Sequence, residues 1–446
     1  MTNKASFGSK FQESARNCIR EVLLFPTSPS GFATLVKTLR ALSVLRKRPP
    51  GDLISSKRIF ISHPYASVGD LVLLMPLLEK VGTVWPDAEI DIAVPAQVAD
   101  LLGEVPRLHC LALRDFDLMQ NGSKRKLWFS RILYRHTVVY HLISFCCRAM
   151  SAQEYEIGIA PRWGSHATWP AVYLAYLSGA RRIIGYSGSV DGGTFATDQL
   201  LTVAARGGEH EHESARNLAL LIRGGLVEHC FDITEAVYQP ISSLVKLARR
   251  EQNSTDHKWM EAGTYAVISP GATASFRTWS TKNLIKVVRG LHQETGFRFY
   301  VVGGLADELL CRSIADGAKE CAVSIAGQTS LKQLAGLLAG ATLFIGMDSG
   351  TAHIAGALAV PTIVISPFPL SSAVDHPNSP ARFRPCGPNV RVLQPEHPIP
   401  PCDPTCSFSG SHCIEQITPA SVVTAVMERL QSKTSSSRPQ PLPSSG

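Results

Sequence analysis

The amino-acid sequence predicts an α/β protein of two similar halves, each built on a parallel sheet. Three observations carry this. Short β-branched runs alternate with helical stretches, which is the pattern of βαβ units. That pattern restarts near Tyr265, after a polar stretch. The length of 446 residues suits two or three domains at about 100–200 residues each. With 45% hydrophobic and 18% charged residues, the chain can bury a core and is not a disordered polymer.

The elements follow in order. The first unit opens with the strand Arg58-Ile-Phe-Ile-Ser-His63 and a loop to Gly69. A helix from Asp70 carries Leu71, Leu74, Leu77 and Leu78 on one face, and Glu89-Ile-Asp-Ile-Ala-Val94 is the next strand. The second half opens with Tyr265-Ala-Val-Ile-Ser269, the loop 270–279 and a helix from Ser280. Leu284, Val287, Val288 and Leu291 recur there at helical spacing. Arg298-Phe-Tyr-Val-Val302 is a strand and Gly303-Gly304 a turn. Helices are expected over 307–319 and 331–339, a strand over 342–346, a helix from Thr351 and a strand at Thr362-Ile-Val-Ile365. Thr418-Pro419 combines an N-cap with proline at the first helical position and opens a last helix to Gln431. The expected division is a basic extension at 1–57, a first domain at 58–250, a second at 251–431 and a disordered Ser/Pro-rich tail at 432–446. The polar stretch 251–264 reads as the linker.

The charge is uneven. The net +8 of the whole chain equals the balance of residues 1–58 alone. Residues 59–117 are acidic, by −6, and 118–153 are basic, by +6, with no acid at all. Residues 154–446 balance to zero. Local basic segments argue against a chain-wide nucleic-acid groove and for contact with an anionic surface. The insert 118–153 also carries Trp128, Phe129, Ile132 and Leu133 among its cations, a basic amphipathic pattern suited to a membrane surface. The same pattern would serve as a solvated helix face or a grip on an anionic substrate. No segment offers about 18 uncharged apolar residues, so no transmembrane helix is expected. The N-terminus does not read as a secretory signal, and most of the eleven cysteines are scattered, as in a reduced compartment.

Four clusters can carry chemistry. In Gly346-Met-Asp-Ser-Gly-Thr-Ala-His353 a strand ends in a turn that starts a helix. Free N–H groups there, with the hydroxyls of Ser349 and Thr351, suit a phosphate or diphosphate. Gly350 lets the anion approach the backbone, while Asp348 would repel it and suits sugar hydroxyls instead. The plain alternative is an Asp-Ser cap with a core histidine. In Ser269-Pro-Gly-Ala-Thr-Ala-Ser-Phe-Arg-Thr-Trp279, Thr273 and Arg277 occupy the equivalent loop, and a guanidinium can fork onto a phosphate. Asp307 and Glu308, after Gly303-Gly304, can accept from a ribose diol or complement a helix dipole. In the third cluster, at Gly69-Asp70, a carboxylate can act as general base toward a substrate hydroxyl or simply cap the helix. Fourth, Cys402, Cys406 and Cys413, with Cys386 and His412 nearby, offer soft ligands, but the spacing departs from the common zinc knuckles. Buried inert thiols are the plainer reading there, and no metal is assigned.

Together these residues resemble glycosyltransferase family 9, the lipopolysaccharide heptosyltransferases. The Gly69-Asp70 turn with Trp85-Pro-Asp-Ala-Glu-Ile-Asp-Ile92 is similar to the family's opening unit. Gly350-Thr-Ala-His353 after Asp348-Ser349 matches its donor motif, and Arg277-Thr-Trp279 its basic-x-Trp element. The segments 212–217 and 402–419 also resemble it. The resemblance implies a GT-B fold of two facing Rossmann-like domains and an inverting transfer from an ADP-heptose-type donor, without cofactor or catalytic metal. It implies Asp70 as base, with Arg277, Thr273 and the Ser349, Gly350, Thr351 and Ala352 amides on the leaving diphosphate. His353 would belong to the donor motif, Asp348 would hold sugar hydroxyls, and Asp307 or Glu308 the ribose. Leu305 stands where members often carry an acid. The implied partners are a nucleotide sugar, a lipid-anchored saccharide acceptor and an anionic membrane surface, with no nucleic acid. The implied location is the cytoplasmic face of the inner membrane. Two other readings remain open: a protein-directed heptosyltransferase with a cysteine-bound metal, and a catalytically silent GT-B binding or scaffold protein. A dehydrogenase is disfavoured because no G-x-G-x-x-G follows a strand.

Overall fold

A computed structural model of the chain describes residues 57–113, 154–161, 169–187, 197–208, 211–227, 232–254, 264–371, 379–402, 410 and 412–436. The extension up to residue 56, the insert 118–153, the linker at 255–263, Cys406 and residues 437–446 lie outside the described residues.

Two six-stranded sheets form the frame. The first holds β1 (Arg58–Ser62), β2 (Glu89–Pro95), β3 (Leu108–Leu113), β4 (Ile157–Ala160), β5 (Arg182–Tyr186) and β6 (Val203–Ala205), in the order β3-β2-β1-β4-β5-β6. The second holds β7 (Tyr265–Ser269), β8 (Arg298–Val301), β9 (Ala322–Ser324), β10 (Leu343–Met347), β11 (Thr362–Ile365) and β12 (Val390–Leu393), in the order β9-β8-β7-β10-β11-β12. Every pairing is parallel. Both sheets therefore share one winding, with a topological switch between the first and fourth strands of each. Ligands bind beyond the carboxyl ends of strands at such a point.

The helices are α1 (Val68–Val84), α2 (Ala96–Ala99), α3 (Trp169–Leu177), α4 (Glu213–Arg223), α5 (Ile233–Tyr238), α6 (Ser242–Gln252), α7 (Thr281–Thr295), α8 (Glu308–Ala318), α9 (Leu331–Gly340), α10 (Gly350–Ala357), α11 (Pro380–Phe383) and α12 (Pro419–Ser436). Strand β7 is buried along its whole length and β1 along nearly all of it, because helices cover both sheet faces. Local signals set the helix ends. Ser330 and Gln333 exchange hydrogen bonds with each other's backbone and start α9. Gly296, at φ +71°, ends α7 in the left-handed conformation that glycine adopts without strain.

Three features differ from the sequence expectation. Helix α1 is not amphipathic: every residue from Leu71 to Leu78 is buried. The reason is tertiary, since α4 and α10 pack on its other sides. Helix α6 runs two residues into the stretch expected as linker and packs on α9 of the second half. Helix α12 continues past Gln431 to Ser436.

One apolar core crosses between the halves, joining Ile59 and Leu71 to Phe344, Ile354 and Val364. A second lies between the other face of the second sheet and α7, α8 and α12, around Trp279, Leu284 and Phe299. A third lies under α3.

Candidate active site

The carboxyl ends of β1, β7 and β10 each release a loop toward one cavity of about 200 Å³. Its lining includes Asp70 and Gly69 from the first half, and Thr273, Arg277, Asp348, Ser349, Gly350 and His353 from the second. Ser67, Leu73 and Phe383 complete the wall.

Asp70 sits in the first turn of α1, not at its cap. Ser67 is the cap, its hydroxyl accepting from the Asp70 N–H at 3.3 Å. Asp70 itself lines the cavity. Ser67-Val-Gly-Asp70 has the spacing of a capping box, so Ser67 was legible in principle.

Arg277 ends the short helical turn 275–277 after β7. Its guanidinium lies 3.8 Å from Asp348 Oδ2 and within 6 Å of the rings of Phe276 and Phe368. Two residues on, Trp279 turns inward to the core, and its backbone N–H donates to Met347 Sδ at 3.3 Å. The Arg-x-Trp spacing thus puts the charge in the cavity and the indole beneath it. Burial raises the Asp348 carboxyl above its ordinary pKa, and Arg277 opposes that shift.

Helix α10 begins at Gly350. The Ala352 N–H already donates to the Ser349 carbonyl at 3.1 Å, so the Ala352 amide is used within its own turn. Gly350 and Thr351 head the helix and carry the donors that helix geometry leaves unmet. Ser349 Oγ, His353 Nδ1 and Arg277 Nε are buried with no hydrogen-bond partner among the described residues. Such groups are costly unless something completes them, and all three residues line the cavity. Burial pushes the His353 imidazole down to about 4, with Asp70 opposing and His212 reinforcing the shift. It is neutral at pH 7.

The two helix starts touch. A Cβ on Gly69 would lie 2.8 Å from His353 Cδ2, and one on Gly350 would lie 2.6 Å from Val68 Cβ. Glycine is needed at both positions for this approach.

Other expected residues lie elsewhere. The Asp307 carboxylate accepts from the Gly304 N–H at 3.1 Å and abuts Gly271, at the edge of the same loop system but outside the cavity lining. Glu308 pairs with Arg312 on an exposed helix face. Cys402, His412 and Cys413 cluster together, while Cys386 lies apart, in the core beside Gly356. Cys406 lies outside the described residues.

Segment 212–217 has no role that its sequence alone suggests. His212 caps α4 and its Nε2 lies 2.8 Å from the Arg384 carbonyl, while Ser214 Oγ and Asn217 Nδ2 donate to the Leu73 carbonyl. Glu213, buried, receives Arg382 at 3.1 Å and lies 3.9 Å from Arg216. This polar knot ties α4 to the segment after β11, on the flank of the cavity.

A sugar-transfer enzyme of two doubly wound domains is the class that this arrangement defines. Residues 148–409 match glycosyltransferase family 9 (heptosyltransferase), and the chain belongs to that family. The matched span includes the Arg277 and Asp348 loops. The chain is 28% identical over 311 residues to lipopolysaccharide heptosyltransferase 3 of Escherichia coli, covering 69% of this chain and 82% of that protein. Solved structures share the fold. A glycosyl transferase family 9 structure from Veillonella parvula aligns with TM-score 0.62 at 16% identity, over 86% of this chain and 100% of that one. E. coli heptosyltransferase WaaC with ADP aligns with TM-score 0.60 at 17% identity, over 83% and 99%. The fold is GT-B, and the chain is a glycosyltransferase of the heptosyltransferase family.

Proposed function

We propose that this enzyme transfers a heptose, with inversion, from an ADP-heptose-type donor to a hydroxyl of a lipopolysaccharide core or related glycolipid. One observation carries the reading: Asp70 from the first half shares a cavity with Arg277, Asp348 and Ser349 from the second. Asp70 takes the proton of the acceptor hydroxyl. That oxygen attacks the anomeric carbon from the side opposite the diphosphate. The bond from that carbon to the diphosphate oxygen breaks, and the nucleoside diphosphate leaves with the electron pair. Arg277, the hydroxyls of Thr273 and Ser349, and the Gly350 and Thr351 amides meet the charge that develops there. Asp348, held beside Arg277, accepts from sugar hydroxyls. Asp307 stays close enough to the nucleotide loops to meet a ribose; Glu308, engaged with Arg312, is the weaker choice.

The relative crystallised with ADP supports an adenosine diphosphate donor. The basic segments at 1–58 and 118–153 support attachment to the anionic cytoplasmic face of the membrane that carries the acceptor. No helix among the described residues is long and apolar enough to cross a membrane.

The test uses purified protein, a panel of nucleotide sugars and a glycolipid acceptor, with released nucleotide measured. Release of ADP from ADP-heptose is expected, and Asp70→Asn should lower kcat by about 10²–10⁴-fold while donor affinity holds. Unchanged turnover in Asp70→Asn would remove the base, and reaction only with UDP- or GDP-sugars would remove the donor.

A further inference from the structure

The proposed chemistry leaves one reactive cluster unused. Cys402 and Cys413 are buried, and His412 sits half-buried between them. The Cys402 sulfur lies 3.4 Å from His412 Nδ1, and the Cys413 sulfur 3.6 Å from the same nitrogen. All three atoms fall within 4.8 Å of one another. A tetrahedral zinc ion, with metal–sulfur bonds of about 2.3 Å and metal–nitrogen bonds of about 2.0 Å, sets sulfur and nitrogen about 3.5 Å apart. The two observed separations bracket that value.

The direction of approach matters as much as the distance. Both sulfurs address Nδ1. A neutral imidazole nitrogen has either one lone pair or one proton, so it cannot serve two thiols equally well. A cation shared by all three atoms satisfies them at once. Two thiolates and one imidazole form a donor set that selects zinc-class divalent ions over calcium or magnesium.

We propose that Cys402, His412 and Cys413 are three ligands of a structural site for a thiolate-preferring divalent metal, zinc first. Binding converts two thiols to thiolates and releases their two protons to solvent. None of the three residues lines the cavity, but the site lies behind one of its loops. Cys402 and Cys413 pack against Phe276 and Ile399, and Phe276 is the neighbour of Arg277. The Ile399 N–H donates to the Cys413 sulfur at 3.4 Å. Two residues beyond Cys413, Glu415 accepts from the Ser280 N–H at 2.9 Å and from Asn283 Nδ2 at 3.0 Å. The metal therefore pins Ile399, Cys402 and residues 412–415 under the loop that carries Arg277 and the start of α7. Its role is support of that loop, not a step of the reaction.

The test uses full-length protein purified under reducing conditions without added metal. Elemental analysis should find close to one zinc-class ion per chain, lost in Cys402→Ser, His412→Ala and Cys413→Ser. Cobalt(II) added to metal-depleted wild-type protein should produce a thiolate-to-cobalt charge-transfer band, and metal should raise the melting temperature. A folded, metal-depleted wild type that gives no such band would overturn the proposal. So would metal content unchanged by the cysteine substitutions, or thiol titration showing the two cysteines joined as a disulfide. The cobalt titration needs no variant, so it decides the matter even where a substituted chain misfolds. Asp70→Asn should keep its metal, so failure of the base assignment and failure of this site are separable.

Discussion

At the residue scale, burial decides protonation. His353 and His212 are both pushed down to about 4, by burial first. Each is therefore neutral when folded at pH 7 and protonates more readily when unfolded. A histidine depressed in this way contributes stability above its unfolded value near 6.5 and loses it as the pH falls toward 4. Between pH 7.5 and 5 the loss is about 2 kcal/mol for each. Asp70 and His212 are the titratable neighbours that bear on His353, one favouring its protonation and the other, once itself protonated, opposing it. His353→Gln should remove its share, so the fall in melting temperature from pH 7.5 to 5 becomes shallower than in wild type. Parallel pH profiles for the two proteins would contradict this. Most of these residues are legible in the sequence, because a strand–turn–helix junction announces itself locally. Their partners are not: nothing local links Arg277 to Asp348, or His353 to Gly69.

At the element scale, the close approach of α1 and α10 is what joins the two half-sites. Gly350 meets Val68, whose Cβ is fixed to the backbone and cannot swing aside. Gly350→Ala should therefore force the two helix starts apart. Overpacking of this kind costs about 1–3 kcal/mol. We expect urea denaturation to show that loss and kcat/KM to fall at least tenfold, as Asp70 moves away from the donor loops. A fully active, equally stable variant would show that the contact is not needed. The elements themselves are largely legible. The β7 and β10 patterns, the α7 spacing and the Thr418-Pro419 start all match the structure. Helix α1 reads as one-faced from its leucine spacing yet is covered on all sides, because a helix buried all round carries no polar stripe to mark an exposed side. Segment 212–217 shows no role in its own residues, since a buried Glu213–Arg382 pair joins positions far apart in the chain.

For the whole molecule, the question is how two halves of one winding stay together. The apolar core that runs from β1 to β11 supplies area, and the Glu213–Arg382–Arg216 knot supplies register. Loss of one partner from such a buried pair leaves an uncompensated charge, which costs about 3–5 kcal/mol. The +8 charge equals the balance of residues 1–58, all but the last two of which lie outside the described residues. If that segment attaches the enzyme to anionic lipid, deleting residues 1–56 should weaken sedimentation with phosphatidylglycerol vesicles while leaving donor affinity unchanged. Equal vesicle binding by the truncated chain would refute the attachment.

Periodicity, turn residues and short runs at strand ends are local, and they suffice for the α/β class, the restart at Tyr265, the three loops that feed the cavity and the family. Packing supplied the rest: Asp70 lines one cavity with Arg277, Glu308 pairs with Arg312, and Cys402 and Cys413 share one histidine nitrogen. Those outcomes depend on how separately folded segments meet, and close packing joins residues whose separation along the chain carries no signal of their contact.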